Sequence, residues 1–244
     1  MQPRAVVRSI GGASALVFAL AIGASPALAH SIARHAPKRA FGRTTSTNWS
    51  GYSVDGSGAT GVVGTWTQPA VNCGIGENSW SSPWVGIDGD TSNTVEQTGT
   101  DSDCQNGRAV YYAWYEMYPK SLVQIPITVS AGDTITGSVS YSSGSYSLTL
   151  TDHTTGKSYT TGQFSKKARR TSVEWIMEGP SNGLLSNFGT VPFSAATAMI
   201  SGQATNPGAS NANAITMVTG QGIARAVPSS VSGGTSFSVD WQHS

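Results

Sequence analysis

The chain has 244 residues, only 11% of which are charged, and its 14 Lys and Arg nearly balance its 13 Asp and Glu. Six of these cations lie within residues 1–43, which hold no acid, so residues 44–244 carry a formal charge of −5 with His neutral. Because that balance is acidic, we expect neither nucleic acid nor a membrane surface as a partner.

The first 29 residues have the pattern of a secretory signal peptide. Arg4 and Arg8 precede an apolar stretch at 13–22 that is too short to span a bilayer, and Ala27 and Ala29 are the small residues before a cleavage site. We therefore expect a secreted, extracellular protein.

Residues 30–43 differ in composition from the rest of the chain, since they hold four cations and no acid. A basic run directly after a signal peptide is typical of a disordered arm or of a basic pro-segment. One hypothesis is that it lies over an acidic cleft at neutral pH and leaves when acid protonates the carboxylates of that cleft.

Residues 44–244 predict a single all-β domain, an antiparallel two-sheet β-sandwich. Short segments rich in Val, Thr, Tyr and Trp are separated by Gly, Ser, Asn and Asp, and no helix longer than about two turns is indicated. The stretches "YSSGSY" (141–146) and "DHTTGKS" (152–158) are typical of hairpin turns. A short helical turn fits within 185–200.

Two cysteines, Cys73 and Cys104, occur in the whole chain. In an oxidising compartment they predict one disulfide that closes a loop of about 30 residues. A metal site is not expected, because the cysteines lack partner histidines.

Few histidines are available for catalysis, since only His153 and His243 follow residue 43. Their positions suit neither a Ser-His-Asp triad nor a catalytic zinc site, which usually takes three protein ligands. The remaining catalytic groups are carboxylates and amides. The small number of cations also limits charge repulsion at acid pH, which fits an acid-tolerant protein or simply a Ser/Thr-rich secreted one.

Three predicted strands carry polar residues among aromatic ones. Alternation places Gln97 on one face of "TVEQTGT", Trp114, Glu116 and Tyr118 on one face of "YAWYEMYP", and Glu174 on one face of "VEWIME". If these strands are neighbours, one surface carries an amide, two acids and aromatics, which is typical of a substrate cleft but also compatible with a solvated outer face. Glu178 shares the parity of Glu174 and receives no role beyond the end of the strand.

Six sequence blocks resemble the glutamic peptidase family, also called eqolisins, and follow one another in the family's order over residues 48–193. They are "NWSGY" (48–52), "WVGIDGD" (84–90), "EQTGTD" (96–101), "YAWYEMYP" (112–119), "VEWIMEGP" (173–180) and "NFGTVPF" (187–193). The resemblance implies a β-sandwich of the concanavalin A-like or jelly-roll type. It also implies a secreted, acid-active endopeptidase without metal or cofactor, monomeric, acting on proteins or peptides.

The resemblance further implies a catalytic dyad of Gln97 and Glu174. Glu174 would be the general base and then the general acid for a water, and the Gln97 amide would donate to the oxyanion. The positions that resemble the family's substrate-binding residues are Trp49, Trp84, Asp88, Trp114, Glu116 and Tyr118. For Asp88 and Glu116 a purely structural hydrogen-bonding role is an open alternative.

The basic cluster "KKARR" (166–170) just before Glu174 raises the hypothesis that it lowers the pKa of this acid. Two other functions also fit the same residues. One is a glycoside hydrolase that uses Glu116 and Glu174, and the other is a carbohydrate- or peptide-binding module without catalysis.

Overall fold

The computed structural model describes Met1, residues 35–180 and residues 182–244. Apart from Met1, the expected signal peptide and residues 30–34 of the basic segment lie outside the described residues. Within the described ranges the chain forms strands and turns but no helix, so none is present there that could cross a membrane. The strands are β1 Ala40–Gly42, β2 Thr45–Ser46, β3 Trp49–Asp55, β4 Ala59–Thr67, β5 Ser82–Ile87, β6 Val95–Gln105, β7 Arg108–Tyr118, β8 Val123–Gln124, β9 Thr134–Ser142, β10 Ser145–Asp152, β11 Lys157–Gln163, β12 Ser172–Glu178, β13 Thr190–Ile200, β14 Gln203–Thr205, β15 Ala212–Val218, β16 Ala224–Pro228 and β17 Phe237–Trp241.

The strands form two sheets that share β15. The first, which we call the cleft sheet, has the order β15-β3-β12-β5-β6-β7-β8. The second, the back sheet, has the order β11-β10-β9-β4-β13-β17-β16-β15. These ladders are antiparallel, and the short β2–β15 pairing is parallel. The predicted all-β antiparallel fold is confirmed.

The two sheets pack face to face over an apolar core. From β12 the core receives Val173, Trp175 and Met177, the residues that alternate with Glu174. The Trp175 indole crosses the interface and donates from Nε1 to the carbonyl oxygen of Val63 at 2.7 Å. Gly64 permits this approach, because a Cβ there would lie 2.8 Å from the Trp175 ring.

A two-residue turn joins the two longest strands of the cleft sheet. Asn106 and Gly107 both have positive φ, 51° and 77°, as a tight hairpin turn of the I′ type requires. The turn pairs Gln105 with Arg108 and thereby fixes the register of the whole β6–β7 ladder. Along that ladder Gln97 lies opposite Glu116.

The predicted hairpin turns are present, at Ser143–Gly144 between β9 and β10 and around Gly156 between β10 and β11. The predicted Cys73–Cys104 disulfide is also confirmed. The helical turn suggested within 185–200 is wrong, because that stretch belongs largely to β13. A bulge at Ala195, where φ is 49°, shifts the β13–β4 register and breaks the alternation that identifies a strand.

The buried row of β10 offers a test of the sandwich core. Leu148 is 1% exposed, and Leu148→Ala should lower the free energy of unfolding by about 2–5 kcal/mol through lost burial and a cavity. Thr160→Ala, on the exposed side of the neighbouring strand, should change it by less than about 0.5 kcal/mol. Urea unfolding of the two variants measures the difference, and equal stabilities would contradict the assigned faces.

Candidate active site

One row of paired residues crosses the cleft sheet on the side away from the core. Glu174 on β12 pairs with Ser53 on one side and with Gly86 on the other, Gly86 pairs with Gln97, and Gln97 pairs with Glu116. Adjacent strands are about 4.8 Å apart, so the backbones at Glu174 and Gln97 are separated by roughly 10 Å. Gly86 lies between these two residues in the row. Because it has no side chain, it places no side-chain atom between the Glu174 carboxyl and the Gln97 amide.

The Gln97 amide is fully buried and is held by one hydrogen bond. Its Nε2 donates to Oε2 of Glu116 at 2.8 Å. A side-chain amide has two N–H groups, so one remains to donate elsewhere. Burial raises the pKa of Glu116 to about 7, against opposing contributions from His35 and from the Gln97 hydrogen bond. The protonated acid still has a carbonyl oxygen that accepts the same bond.

The Glu174 carboxyl is fully buried, and neither of its oxygens has a partner of good hydrogen-bond geometry among the described residues. Burial raises its pKa well above the ordinary value. Ser172 opposes this shift, and the negative charges of Asp90, Asp88 and Asp55 add to it. This environment therefore favours the protonated form of Glu174.

The basic cluster at 166–170 does not bring the pKa of Glu174 below its ordinary value, since burial and the neighbouring acids raise it. The guanidinium of Arg170 lies over the ring of Tyr141, 4.1 Å from its centroid. The acids named above, and not these cations, dominate the charge around Glu174.

Asp88 has a structural position that parity alone does not predict. Its backbone φ is 73°, and its carboxylate accepts the N–H groups of Arg169, Arg170 and Thr171 at 2.7–2.8 Å. These bonds fix the segment that leads directly into β12 and Glu174. Both oxygens of the expected substrate-binding carboxylate are thus occupied by backbone.

The other expected cleft residues lie together on the same face as Gln97. Trp49 and Trp84 pack edge to face with ring centroids 4.9 Å apart, and Trp114 belongs to the same buried cluster. Tyr118 packs at the border of this cluster. Three fully buried indoles therefore border the row of polar residues.

The Glu178 carboxylate accepts several hydrogen bonds that hold other parts of the cleft face. Its carboxylate accepts from Trp84 Nε1 at 2.9 Å, from Asn48 Nδ2 at 3.1 Å and from the backbone N–H of Ala36 at 3.0 Å. The prediction that Glu178 has no role beyond the end of its strand is therefore wrong. The signal that could have found it is its shared parity with Glu174, four residues earlier.

A further acidic group that the sequence analysis missed lies at the same end of the cleft. Tyr112 donates its hydroxyl to Asp101 at 2.6 Å and lies 3.4 Å from Asp103, and Ser82 donates to Asp101 at 2.7 Å. Burial and the charge of Asp101 raise the pKa of Asp103 to about 9. Both acids share the parity of Gln97 on β6.

A segment of the basic N-terminal region, residues 35–39, lies against this face, and we call it the cover segment. At one end His35 contacts Glu178 through Nδ1 at 3.2 Å and Asp101 through Nε2 at 3.4 Å, and its ring stacks on Trp114. The carbonyl oxygen of Ala36 accepts from Trp49 Nε1 at 3.0 Å.

At its other end the cover segment reaches Asp90. Lys38 forms an ion pair with Asp90, which also accepts the hydroxyl of Ser53 beside Glu174. The segment thus contacts residues on both sides of the Glu174–Gln97 row, and both side chains of that row are fully buried.

No group of three His, Cys, Asp or Glu side chains in residues 35–180 and 182–244 is arranged to hold a metal ion. The chemistry available at this face comes from carboxyl, amide and indole groups.

Several buried carboxyls hold their protons over a wide pH range. Burial, with the charge of Asp88 adding to it, raises the pKa of Glu96 to about 9. Glu96, Asp103 and Glu116 each retain in the folded protein a proton that the unfolded chain releases near pH 4.5. Raising the pH through that interval therefore favours unfolding.

We expect the free energy of unfolding to decrease as pH rises from about 4.5 to about 9, because the unfolded chain releases protons that Glu96, Asp103 and Glu116 retain in the folded protein. Glu96→Gln replaces the protonated acid by an uncharged group of the same shape and should make this slope shallower. Glu77→Gln, in the loop before β5, is the control. Urea unfolding at a series of pH values measures the slope, and equal slopes in the two variants would contradict the assignment.

Comparison with known proteins identifies the family of the chain. The profile of the peptidase A4 family matches residues 47–241. Aspergillopepsin-2 of Aspergillus niger is 36% identical over 190 residues, which cover 66% of this chain and 67% of that protein.

Two solved structures resemble the chain over most of its length. Scytalido-glutamic peptidase with a transition state analog inhibitor has a TM-score of 0.70 and 31% identity, covering 80% of this chain and 98% of that one. SCP-B, a member of the eqolisin family in complex with the tripeptide Ala-Ile-His, has a TM-score of 0.66 and 28% identity over the same shares. These matches confirm the resemblance of the six sequence blocks. The chain belongs to the peptidase A4 family of eqolisins, and its relatives are glutamic peptidases, which are hydrolases.

Proposed function

We propose that the protein is a secreted, acid-active endopeptidase that uses Glu174 and Gln97 as its catalytic dyad. The observation that carries the proposal is the row in which the Glu174 carboxyl and the Gln97 amide flank the side-chain-free Gly86 on one face. A peptide carbonyl and a water that bind between these two side chains would lie between a proton acceptor and a hydrogen-bond donor.

In this mechanism ionised Glu174 takes a proton from a water while the water oxygen attacks the carbonyl carbon of the peptide. The resulting oxyanion accepts the free N–H of Gln97, whose other N–H stays with Glu116. When the tetrahedral intermediate collapses, Glu174 returns the proton to the departing amine. The products are a carboxylic acid and an amine, and the dyad is restored.

The cover segment supports peptide binding at this face, because it is itself a stretch of peptide held there. Trp49 donates to its backbone and Trp114 stacks on its first described side chain. We assign substrate binding to Trp49, Trp84, Trp114, Glu116 and Tyr118 on this basis, and a supporting role for β12 to Asp88. Beyond Lys38 the face continues into an open groove of about 660 Å³, lined among others by Asp90, Thr94, Pro119 and Arg169.

The covered molecule represents a latent form in this proposal. A general base must be ionised. Burial in the covered molecule raises the pKa of Glu174 and so favours its protonated form. Departure of residues 35–39, which belong to the expected 30–43 pro-segment, would admit water and lower the pKa of Glu174. Acid favours departure, because carboxyl groups that hold His35 and Lys38 lose their charge when they are protonated.

The two solved relatives, one with a transition state analog inhibitor and one with a tripeptide, support a peptide rather than a carbohydrate as the ligand. A glycoside hydrolase built on Glu116 and Glu174 would leave the Gln97 amide between them without a role. We further propose that the protein acts as a monomer on protein or peptide substrates.

The dyad is tested by digestion of an acid-denatured protein at about pH 3–4. Wild type should hydrolyse it, Glu174→Gln should have no measurable activity, and Gln97→Ala should lose about 10²–10³-fold in rate. Glu77→Gln, an amide substitution outside the cleft, should retain full activity. Circular dichroism of each variant checks that the fold is intact.

Hydrolysis by all of these variants would contradict the assignment of Glu174 and Gln97 as the catalytic dyad. No hydrolysis by wild type, even after its N-terminus has been shortened beyond residue 39, would instead favour a binding module.

A further inference from the structure

We propose that Asp101, Glu178 and Trp114 form a binding site for a protonated imidazole. In the covered molecule it holds His35, and once the cover segment has left it accepts a histidine side chain of the substrate. The second half of this inference rests on the proposed function and extends it to a preference of the peptidase.

The geometry around His35 matches an imidazole on every side. Each ring nitrogen faces a different carboxylate, Nδ1 that of Glu178 at 3.2 Å and Nε2 that of Asp101 at 3.4 Å. A ring with two N–H groups, which imidazole has only when protonated, can donate to Glu178 from Nδ1 and bring a positive charge to Asp101, whose contact with Nε2 has an ion-pair distance without hydrogen-bond geometry. The ring lies over Trp114 with a centroid distance of 4.1 Å and an angle of 17°, and His35 is only 2% exposed.

The charges around the pocket favour a cation. The acids that raise the pKa of His35 come from two sides, Asp101 from β6 and Glu178 from β12, while the neighbouring Asp103 and Glu116 have raised pKa values of their own. Burial lowers the pKa of His35, but the charges and hydrogen bonds of Asp101 and Glu178 outweigh burial and raise it well above 6.5. No Lys or Arg among the described residues forms an ion pair with these acids.

The flat stacking surface distinguishes imidazole from a lysine ammonium. A lysine ammonium has no ring to lie parallel to Trp114, and its donors radiate from a single nitrogen rather than from two sides of a ring. A phenyl ring could stack in the same place but would donate no hydrogen bond and bring no charge to Asp101 and Glu178. The pocket thus combines two requirements that histidine alone meets among these side chains.

The pocket lies close enough to the dyad to select substrates. Trp114 is two residues before Glu116 on β7, a distance of about 7 Å along the strand, and Glu116 holds the Gln97 amide. An extended peptide advances about 3.3–3.6 Å per residue, so a side chain in the pocket belongs to a residue about two or three positions from the bond that is cleaved.

The first experiment measures imidazole binding to the full-length chain by tryptophan fluorescence and calorimetry at about pH 6, where imidazole is largely protonated. His35→Ala should bind imidazole saturably, whereas wild type, with its pocket filled, should not. His153→Ala removes an exposed histidine and should behave like wild type. Adding Asp101→Asn to His35→Ala should weaken binding at least tenfold, since the site loses a charged acceptor.

Two ligands test the selectivity of the same site. Butylamine and toluene, analogues of lysine and phenylalanine side chains, should each bind at least tenfold more weakly than imidazole. Absence of imidazole binding by His35→Ala, or equal binding of butylamine, would overturn the inference. As a check in the unaltered chain, NMR should find the imidazole of His35 still protonated above pH 6.5, and a neutral ring at that pH would also overturn it.

The second experiment compares peptides that carry His or Asn at one to three residues on either side of the cleaved bond. His35→Ala should show at least a tenfold higher kcat/KM for His at one position, and Asp101→Asn should remove this preference. Hydrolysis without any His preference would refute the substrate half while leaving the proposed function intact. Imidazole binding without hydrolysis of any peptide would instead refute the peptidase and leave the imidazole site.

Discussion

The antiparallel register of the cleft sheet is the constraint on which the rest of the site depends. It sets Glu174, Gly86, Gln97 and Glu116 side by side across four strands, although they come from parts of the chain up to 88 residues apart. A slip of one residue in any of these ladders would turn a polar side chain into the core and an apolar one into the cleft. The catalytic geometry and the packing of the sandwich are therefore enforced by the same hydrogen bonds.

Burial of acids without nearby cations gives this sheet its electrostatic character. Glu96, Asp103 and Glu116 are stable in the fold as protonated groups, so acid is the condition in which their burial costs least. The cover segment brings His35 and Lys38 into a face that otherwise carries mainly acids, and ion pairs hold it there together with hydrogen bonds to its backbone and the stacking of His35 on Trp114. Stability and closure of the cleft are thus linked to one variable, the protonation of carboxyls.

The local patterns of the sequence predict the all-β fold and the hairpin turns, because strand alternation and turn chemistry are encoded by neighbouring residues. Whether Gln97 and Glu174 share a face depends on which strands are neighbours, and the local patterns leave that open. They do not predict contacts made across the chain. Glu178 meets His35 over 143 residues, and no local pattern records that distance. The orientation of Asp88 and the bulge in β13 are not predicted for a related reason. A positive φ interrupts the alternation from which the face of a residue is inferred.

The Asn106–Gly107 turn has a consequence for how this protein can vary. Surface loops ordinarily tolerate insertions and deletions. This one is a spacer of fixed length, because one added or removed residue would move Gln97 out of line with Glu116, eight residues away along each strand. Insertions and deletions should therefore occur in other connections of the sandwich. The length of the Asn106–Gly107 turn should stay as constant as the identity of the two dyad residues.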